Sequence, residues 1–474
     1  MNFANARRRG GVSVAPLARY SVFAVKKFYD VARVMTDPAI SLALAERNVP
    51  RYTSYPTAPH FSAAVGSEVY ADWLAALPRE ASLSLYIHVP FCTELCFYCA
   101  CHTRAVRKPE PVEAYAKRLV EEIALLDGLR GRKLTHLHWG GGTPSILGPH
   151  WLETITAQLA SLFDLSVLKE HAIELDPRRL DPPLVHTLAD IGVTRASLGM
   201  QDASSHVQQA IGRVQPFRLV ERAADLLRAA GINRLNIDLM YGLPSQTARD
   251  VARNAELGAS LDPQRLALFG YAHVPWFKTH QRLIDEATLP GLNERLEQAQ
   301  VAAETLTGLG YQAVGLDHFA LANDELAVAA REKRLRRNFQ GYTVDDADAL
   351  VGLGASAISR LPQGFVQNAT DVAGYARAVA AGRFASVKGL ALSNDDRERG
   401  ALIERLMCDL EVTVDADRFT TELAMLRKMA AQGIVRVDDN HVTVTQTGRP
   451  FVRIAASVFD TYLAAGAKRH SLAV

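Results

Sequence analysis

The chain has 474 residues, 48% hydrophobic and 22% charged, with 53 Lys plus Arg against 51 Asp plus Glu for a net charge of +2. A sizeable core is within reach, and a global field that would draw nucleic acid or an anionic membrane is excluded. No apolar run reaches the ~18 residues of a membrane span, and five cysteines, Cys408 standing apart, do not make the even-numbered framework of a secreted disulfide protein. A cytoplasmic protein is expected.

Residues 1–47 begin Arg-rich and acid-poor, and a disordered extension is expected there, with an organelle transit peptide as the alternative. From residue 83, β-rich runs alternate with helical patterns. The runs are SLSLYIHVP (82–90), LTHLHWGGGTP (134–144), HAIELDP (171–177), RASLGMQ (195–201), LNIDLMYGLP (235–244) and LALFGYAHVP (266–275). Between them, stripes such as Leu219, Ala223, Leu226, Leu227 and Ala230 recur at helical spacing. Six strand–helix units define an α/β chain and imply a partial (β/α) barrel over residues 83–390, with chemistry at the C-terminal strand ends; an open doubly wound sheet is the competing architecture. GYQAVGLDHFA (310–320) extends or caps this sheet.

The tail, residues 391–474, reads as a smaller, mostly helical domain with a hairpin around Asp438, Asp439 and Asn440, a winged-helix-like layout. Near-neutral charge and the lack of a dense basic face favour a lid or interaction role over DNA binding. Cys408, among Leu406, Met407 and Leu410, reads as an inert buried thiol.

The segment HVPFCTELCFYCAC (88–101) holds the other four cysteines. Gathering thiolates is costly unless a metal centre takes up their charge. Zinc takes four, usually as two separated pairs, and the second pair is missing. Cys92, Cys96 and Cys99 have C-x3-C-x2-C spacing, whereas Cys101, two residues on, is expected to point elsewhere. Three thiolates can hold three irons of a 4Fe-4S cubane and leave the fourth open. This pattern after a first barrel strand, with aromatic Tyr98 before the last cysteine, resembles the radical S-adenosylmethionine (SAM) superfamily. WGGGTP (139–144), bare backbone at the mouth of the second strand, matches its second signature.

From about residue 48 onward the chain is similar to the oxygen-independent coproporphyrinogen III oxidases. The resemblance rests on PRYTSYPTAPHF, YIHVPFCTELCFYCAC, LHWGGGTPS, IELDPR, LGMQD, NIDLMYGLPSQT, GYAHVP, GLDHFA, NFQGYT and LGASAIS in order. It implies a 4Fe-4S cluster on Cys92, Cys96 and Cys99 and two SAM molecules. Tyr86, Gly141, Glu174 and Ile358 are then expected around the cluster-bound SAM, and Tyr98, Gly142, Thr143, Gln201, Arg213, Asp238 and Ala272 around the second. It also implies decarboxylation of two propionates of coproporphyrinogen III to vinyl groups, an N-terminal substrate-capping element over residues 48–82, a low-potential electron donor such as flavodoxin or ferredoxin, and a monomer. Four substrate carboxylates call for cations: Arg51 and the run Arg331, Lys333, Arg334, Arg336 and Arg337 are candidates, with Tyr52 and His318 as polar ones. Two positions depart from the family pattern, Tyr98 where Phe is usual and Gly270 where Asn is usual, and both bear on the second SAM site. A haem chaperone of the same superfamily, another radical SAM tetrapyrrole-modifying enzyme and a structural or electron-transfer iron–sulfur protein are the alternatives; Cys101 and RYTSYPTA speak against the chaperone.

Overall fold

The computed structural model describes Leu44 and residues 46–463, so most of the expected N-terminal extension lies outside the described residues. The six β-rich runs form strands β1 (Leu83–Val89), β2 (Leu134–Gly141), β3 (Glu170–Leu175), β4 (Arg195–Gln201), β5 (Arg234–Tyr241) and β6 (Arg265–Gly270). Six further strands complete the main sheet: β7 (Gln312–Val314), β8 (His318–Ala320), β9 (Ala349–Leu353), β10 (Ile358–Leu361), β11 (Gly364–Asn368) and β12 (Ser386–Ala391). Their order is β12-β11-β10-β9-β1-β2-β3-β4-β5-β6-β8-β7. Strands β9 and β1 to β6 run parallel, and antiparallel strands extend both edges. The edges do not pair with each other, so this is a partial barrel.

GYQAVGLDHFA extends the sheet, as expected, as the antiparallel pair β7–β8. Two details correct the pattern reading. Strand β9 is a seventh parallel strand beyond the six anticipated. Its sequence ALVGL is buried throughout, and a strand covered on both faces has no alternation to betray it. In helix Phe217–Ala229 the buried residues are Val220, Ala223, Ala224 and Leu227, so the apolar stripe sits about one position away from that centred on Leu219 and Leu226.

Strand β1 shows how the sheet aims its side chains. Leu83, Leu85, Ile87 and Val89 join the main core with Leu119 and Ile123 of helix Glu110–Ala124. The two-residue period then turns Ser84, Tyr86 and His88 to the opposite face. A second core unites Val49, Tyr52 and Tyr55 with Ile403, Leu406, Phe419, Leu426 and Phe459 of the C-terminal segment. Tyr52 Oη donates to Asp460 Oδ2 at 3.0 Å, whereas Val65, Tyr70 and Leu74 pack on the barrel. Residues 48–82 are thus shared between two cores. The C-terminal segment itself places helices Asn394–Asp409 and Thr420–Ala430 against a three-stranded sheet that includes the hairpin Val435–Asp438/His441–Val444. Cys408 is buried, and burial pushes its thiol up to about 12. No helix among the described residues is long and apolar enough to cross a membrane.

The N-terminal ends of the strands, away from the glycine-bearing end of β2, carry a buried ionic network. Glu170, Arg195 and Arg265, the first residues of β3, β4 and β6, meet Asp324: Arg195 Nε lies 2.7 Å from Glu170, and Arg265 Nε 2.6 Å from Asp324. Burial alone would raise the Glu170 carboxyl, but the two arginines outweigh it and hold it at about 2. A depressed carboxylate contributes stability above its unfolded value near ~4.3 and loses it as pH falls towards 2. Arg195→Met is expected to lower the urea unfolding free energy by about 3–5 kcal/mol, because it strands buried carboxylates. The gap between variant and wild type should narrow between pH ~4.3 and 2.

Candidate active site

After β1 the chain closes a loop on itself. Residues Phe91–Cys92 pair in parallel with Arg104–Ala105, Val106 N donates to Cys92 O at 2.8 Å, and Cys99 N donates to Cys96 O at 3.2 Å. Neighbouring elements hold the loop from outside through its carbonyls. Gln281, fully buried, donates to the carbonyls of Tyr98 (2.9 Å) and Ala272 (3.2 Å), tying the loop to the segment after β6. His280 Nε2 reaches Cys99 O at 2.7 Å and Lys278 Nζ reaches Cys101 O at 2.8 Å.

The sulfurs have donors aimed at them. Thr143 Oγ1 donates to Cys92 Sγ at 3.5 Å, Thr103 Oγ1 lies 3.3 Å from the same sulfur, and Arg213 Nη1 lies 3.6 Å from Cys96 Sγ. The neighbouring Cys101 side chain brings the Cys99 thiol down to about 7, and Cys101 itself is exposed. Such donors favour thiolates. Among the described residues no three His, Cys, Asp or Glu side chains converge tightly enough for a single metal ion. A loop of separately supported thiols fits one thiolate per iron of a larger cluster, rather than four ligands around one zinc.

Beside the loop, the end of β2 is a ledge of bare backbone. Gly141 has φ +113°, and a Cβ there would lie 2.7 Å from the His88 ring; one on Gly142 would collide with Thr103 Oγ1 and the Phe91 carbonyl. Only glycine fits this approach. Gly141 N donates to Glu174 Oε2 at 3.1 Å, and Glu174 Oε1 lies 3.3 Å from His138 Nε2. Tyr86 Oη bonds His88 Nδ1 at 3.0 Å. In the parallel register Tyr86 faces Gly352, whose Cβ position is 2.7 Å from the Ile358 carbonyl. Tyr86, Gly141 and Glu174 thus lie on the adjoining strands β1, β2 and β3, with Ile358 on β10 beyond β9.

Gln201, Arg213 and Asp238 gather around Gly199. A Cβ on Gly199 would lie 2.7 Å from Gln201 Nε2 and 3.4 Å from Arg213 Nη2. Arg213 Nη2 donates to Gly199 O at 2.9 Å and reaches Asp176 Oδ1 at 3.4 Å; its buried Nε has no hydrogen-bond partner. Asp238, opposite Gly199 in the sheet, accepts from Ser197 and Asn236 at 2.8 Å each, and burial raises its carboxyl to about 6. Tyr98 and Phe97 pack against Val207, Ile211, Leu243 and Tyr271. Gly270 has no room for a side chain, since its Cβ would lie 2.8 Å from Tyr241 Oη.

Sequence reasoning missed Gln281, Lys278 and His280, which lie in a loop without periodicity. Asp176 caps Pro177–Arg179 and also holds Arg178 and Arg213.

A three-cysteine loop beside a glycine ledge at the strand ends of a partial barrel is the arrangement of a radical SAM enzyme, and the radical SAM superfamily profile matches residues 86–258. The oxygen-independent coproporphyrinogen III oxidase of Bradyrhizobium diazoefficiens is 43% identical over 446 residues, covering 92% of this chain and 99% of that protein. The corresponding Escherichia coli protein is 38% identical, covering 87% and 93%. The solved structure of coproporphyrinogen III oxidase from Escherichia coli, a radical SAM enzyme, superposes with a TM-score of 0.83 at 36% identity, covering 88% of this chain and 100% of that one. The chain belongs to the oxygen-independent coproporphyrinogen III oxidase family.

Each of Cys92→Ala, Cys96→Ala and Cys99→Ala should abolish the brown iron–sulfur absorbance and iron content of anaerobically reconstituted protein. Cys101→Ala should retain both; loss of iron from all four variants alike would contradict the three-ligand assignment.

Proposed function

We infer that the residues at the mouth of the sheet carry out the family's reaction, oxidative decarboxylation of two propionates of coproporphyrinogen III to vinyl groups, giving protoporphyrinogen IX. The cofactors are a 4Fe-4S cluster and SAM, two molecules of which are held beside one cluster. The observation that carries this reading is the contact between thiol loop and glycine ledge, where Thr143 bonds Cys92 and Gly141 bonds Glu174. Together, reduced cluster and SAM supply a carbon radical that removes one hydrogen atom from a substrate C–H bond. Each propionate then loses that hydrogen atom, CO2 and one electron to become a vinyl group.

The chain's own part is binding, orientation and exclusion of water. Cys92, Cys96 and Cys99 would hold the cluster, one thiolate to an iron. Tyr86, the Gly141 backbone, Glu174 and Ile358 border the cluster-bound SAM, with Glu174 suited to its ammonium group. Gly142, Thr143, Tyr98, Gln201, Arg213, Asp238 and Ala272 border the second. The partnerless Nε of Arg213 supports a carboxylate ligand, and the Asp238 carboxylate suits ribose hydroxyls. Residues 48–82, with one end in the C-terminal core and the other on the barrel, act as the cap over the substrate. The barrel spans 83–390, and the described residues after 390 form the winged-helix-like domain. A low-potential flavodoxin or ferredoxin as electron donor, a monomeric state and a cytoplasmic location complete this reading; five free thiols suit a reducing compartment.

Purified anaerobic protein given SAM, a reductant and coproporphyrinogen III should release two CO2 per tetrapyrrole, with 5′-deoxyadenosine as co-product, read by mass spectrometry. Asp238 yields a second expectation. Its raised carboxyl is protonated below about 6 and then accepts hydroxyl donors less well, so kcat/KM for SAM should fall as pH drops through that value. Asp238→Asn should flatten the limb and lower kcat/KM roughly ten- to hundredfold, the scale of a lost charge-assisted hydrogen bond.

A further inference from the structure

The basic run 331–337 divides sharply by side-chain direction. Arg331 bonds Gln312, Lys333 meets Glu411, Arg334 meets Glu332 and Arg336 reaches Glu404 at 3.4 Å, all as exposed surface pairs. Arg337, next to Arg336 on the strand Arg336–Asn338, turns the other way. Its guanidinium lies 4.3 Å from the Tyr342 ring centroid and donates through Nη2 to Arg51 O at 3.3 Å. Its Nε and Nη1 are buried and have no hydrogen-bond partner among the described residues.

Three more arginines converge there from distant parts of the chain. Arg51 Nη2 donates to Gly270 O, the last residue of β6, at 3.1 Å. Arg295, from helix Leu292–Gly308, donates to Tyr271 O at 2.9 Å and lies 5.7 Å from the Tyr241 ring centroid. Arg453, from helix Val452–Ala456 of the C-terminal core, donates to Val49 O at 3.4 Å. Burial, and after it neighbouring arginines, depress Arg51, Arg295 and Arg453, the last to about 10. Arg51 remains open to solvent even though desolvation by surrounding protein is the largest influence on it, as expected of a head group in a recess. The carboxylate that Arg51, Arg337 and Arg453 share is Asp317; burial would raise it, but His318, Arg337 and Arg51 hold it at about 2.

Crowding like charges in a desolvated recess is unfavourable in the free protein and is relieved by an anionic ligand. We propose that Arg51, Arg337 and Arg453, with Arg295 beside them, form the site that receives carboxylates of the tetrapyrrole, so that the C-terminal segment supplies part of the substrate site. The cluster borders the C-terminal end of β6, two residues before Ala272, and its four members come from four separate elements. The unpartnered Arg337 donors suit carboxylate oxygens. This inference rests on the reaction proposed above and names the protein groups that bind its substrate.

The test is binding of coproporphyrin III, the fluorescent oxidised analogue, by anisotropy, together with anaerobic turnover. Arg337→Met and Arg51→Met should each raise the Kd for coproporphyrin III and the KM for coproporphyrinogen III roughly ten- to hundredfold, with iron content unchanged. Arg337→Lys should recover part of the affinity. The rise of Kd with salt should be shallower in Arg337→Met than in wild type. Arg336→Met, on the outward face of the same strand, should bind as wild type does. Arg453→Met should behave like Arg337→Met if its melting temperature shows it folded, and the Arg51 and Arg337 variants decide the matter if it does not. Wild-type Kd and KM in both of those variants would overturn the proposal. Wild-type protein that binds coproporphyrin III but releases no CO2 would instead overturn the reading of the reaction and leave the carboxylate site standing.

Discussion

Thiolates repel one another, and the architecture around residues 92–101 follows from keeping three of them close together. A loop this short has no core of its own. It is therefore clamped through its backbone by Gln281, His280 and Lys278, and its sulfurs meet donors from Thr143, Thr103, Arg213 and Cys101. Those donors come from the loop itself, the end of β2 and the segment after β4. A cluster loop of this kind can thus be held only where several parallel strands end together.

The same constraint explains the glycines. A ligand that touches both the loop and the sheet needs backbone within reach, and at Gly141 and Gly142 any Cβ would already collide with His88 or Thr103. The ledge is built to fit the loop as much as to admit SAM. Glu174, held by the Gly141 amide, is thereby fixed in orientation against the ledge.

Features carried by local spacing were legible in the sequence: the C-x3-C-x2-C loop, the glycine ledge, and strands β1 to β6, several of which carry a mixed polar and apolar face. Features that depend on which way a residue turns were not. Strand β9 is buried on both faces and shows no period. Within the basic run a single step along a three-residue strand separates Arg336, paired at the surface, from Arg337, turned inward. Arg453 carries no local signal, because its partner Val49 lies some four hundred residues away along the chain, and Arg295 meets Tyr271 across a loop without periodicity.

Unfavourable electrostatics stand at the C-terminal ends of the strands, and a compensated network stands at the other. Glu170, Arg195, Arg265 and Asp324 neutralise one another inside the sheet, whereas Arg51 and Arg337 crowd about the buried Asp317. A protein can keep groups that disfavour the free state only if the rest of the fold over-determines their positions. The long hydrophobic core beneath β1 to β6 and the second core that ties Val49, Tyr52 and Tyr55 to the C-terminal helices provide that constraint. The second core then has a functional reason to exist: it holds the segment carrying Arg51 and the helix carrying Arg453 against the mouth of the barrel, where charge repulsion alone would drive them apart.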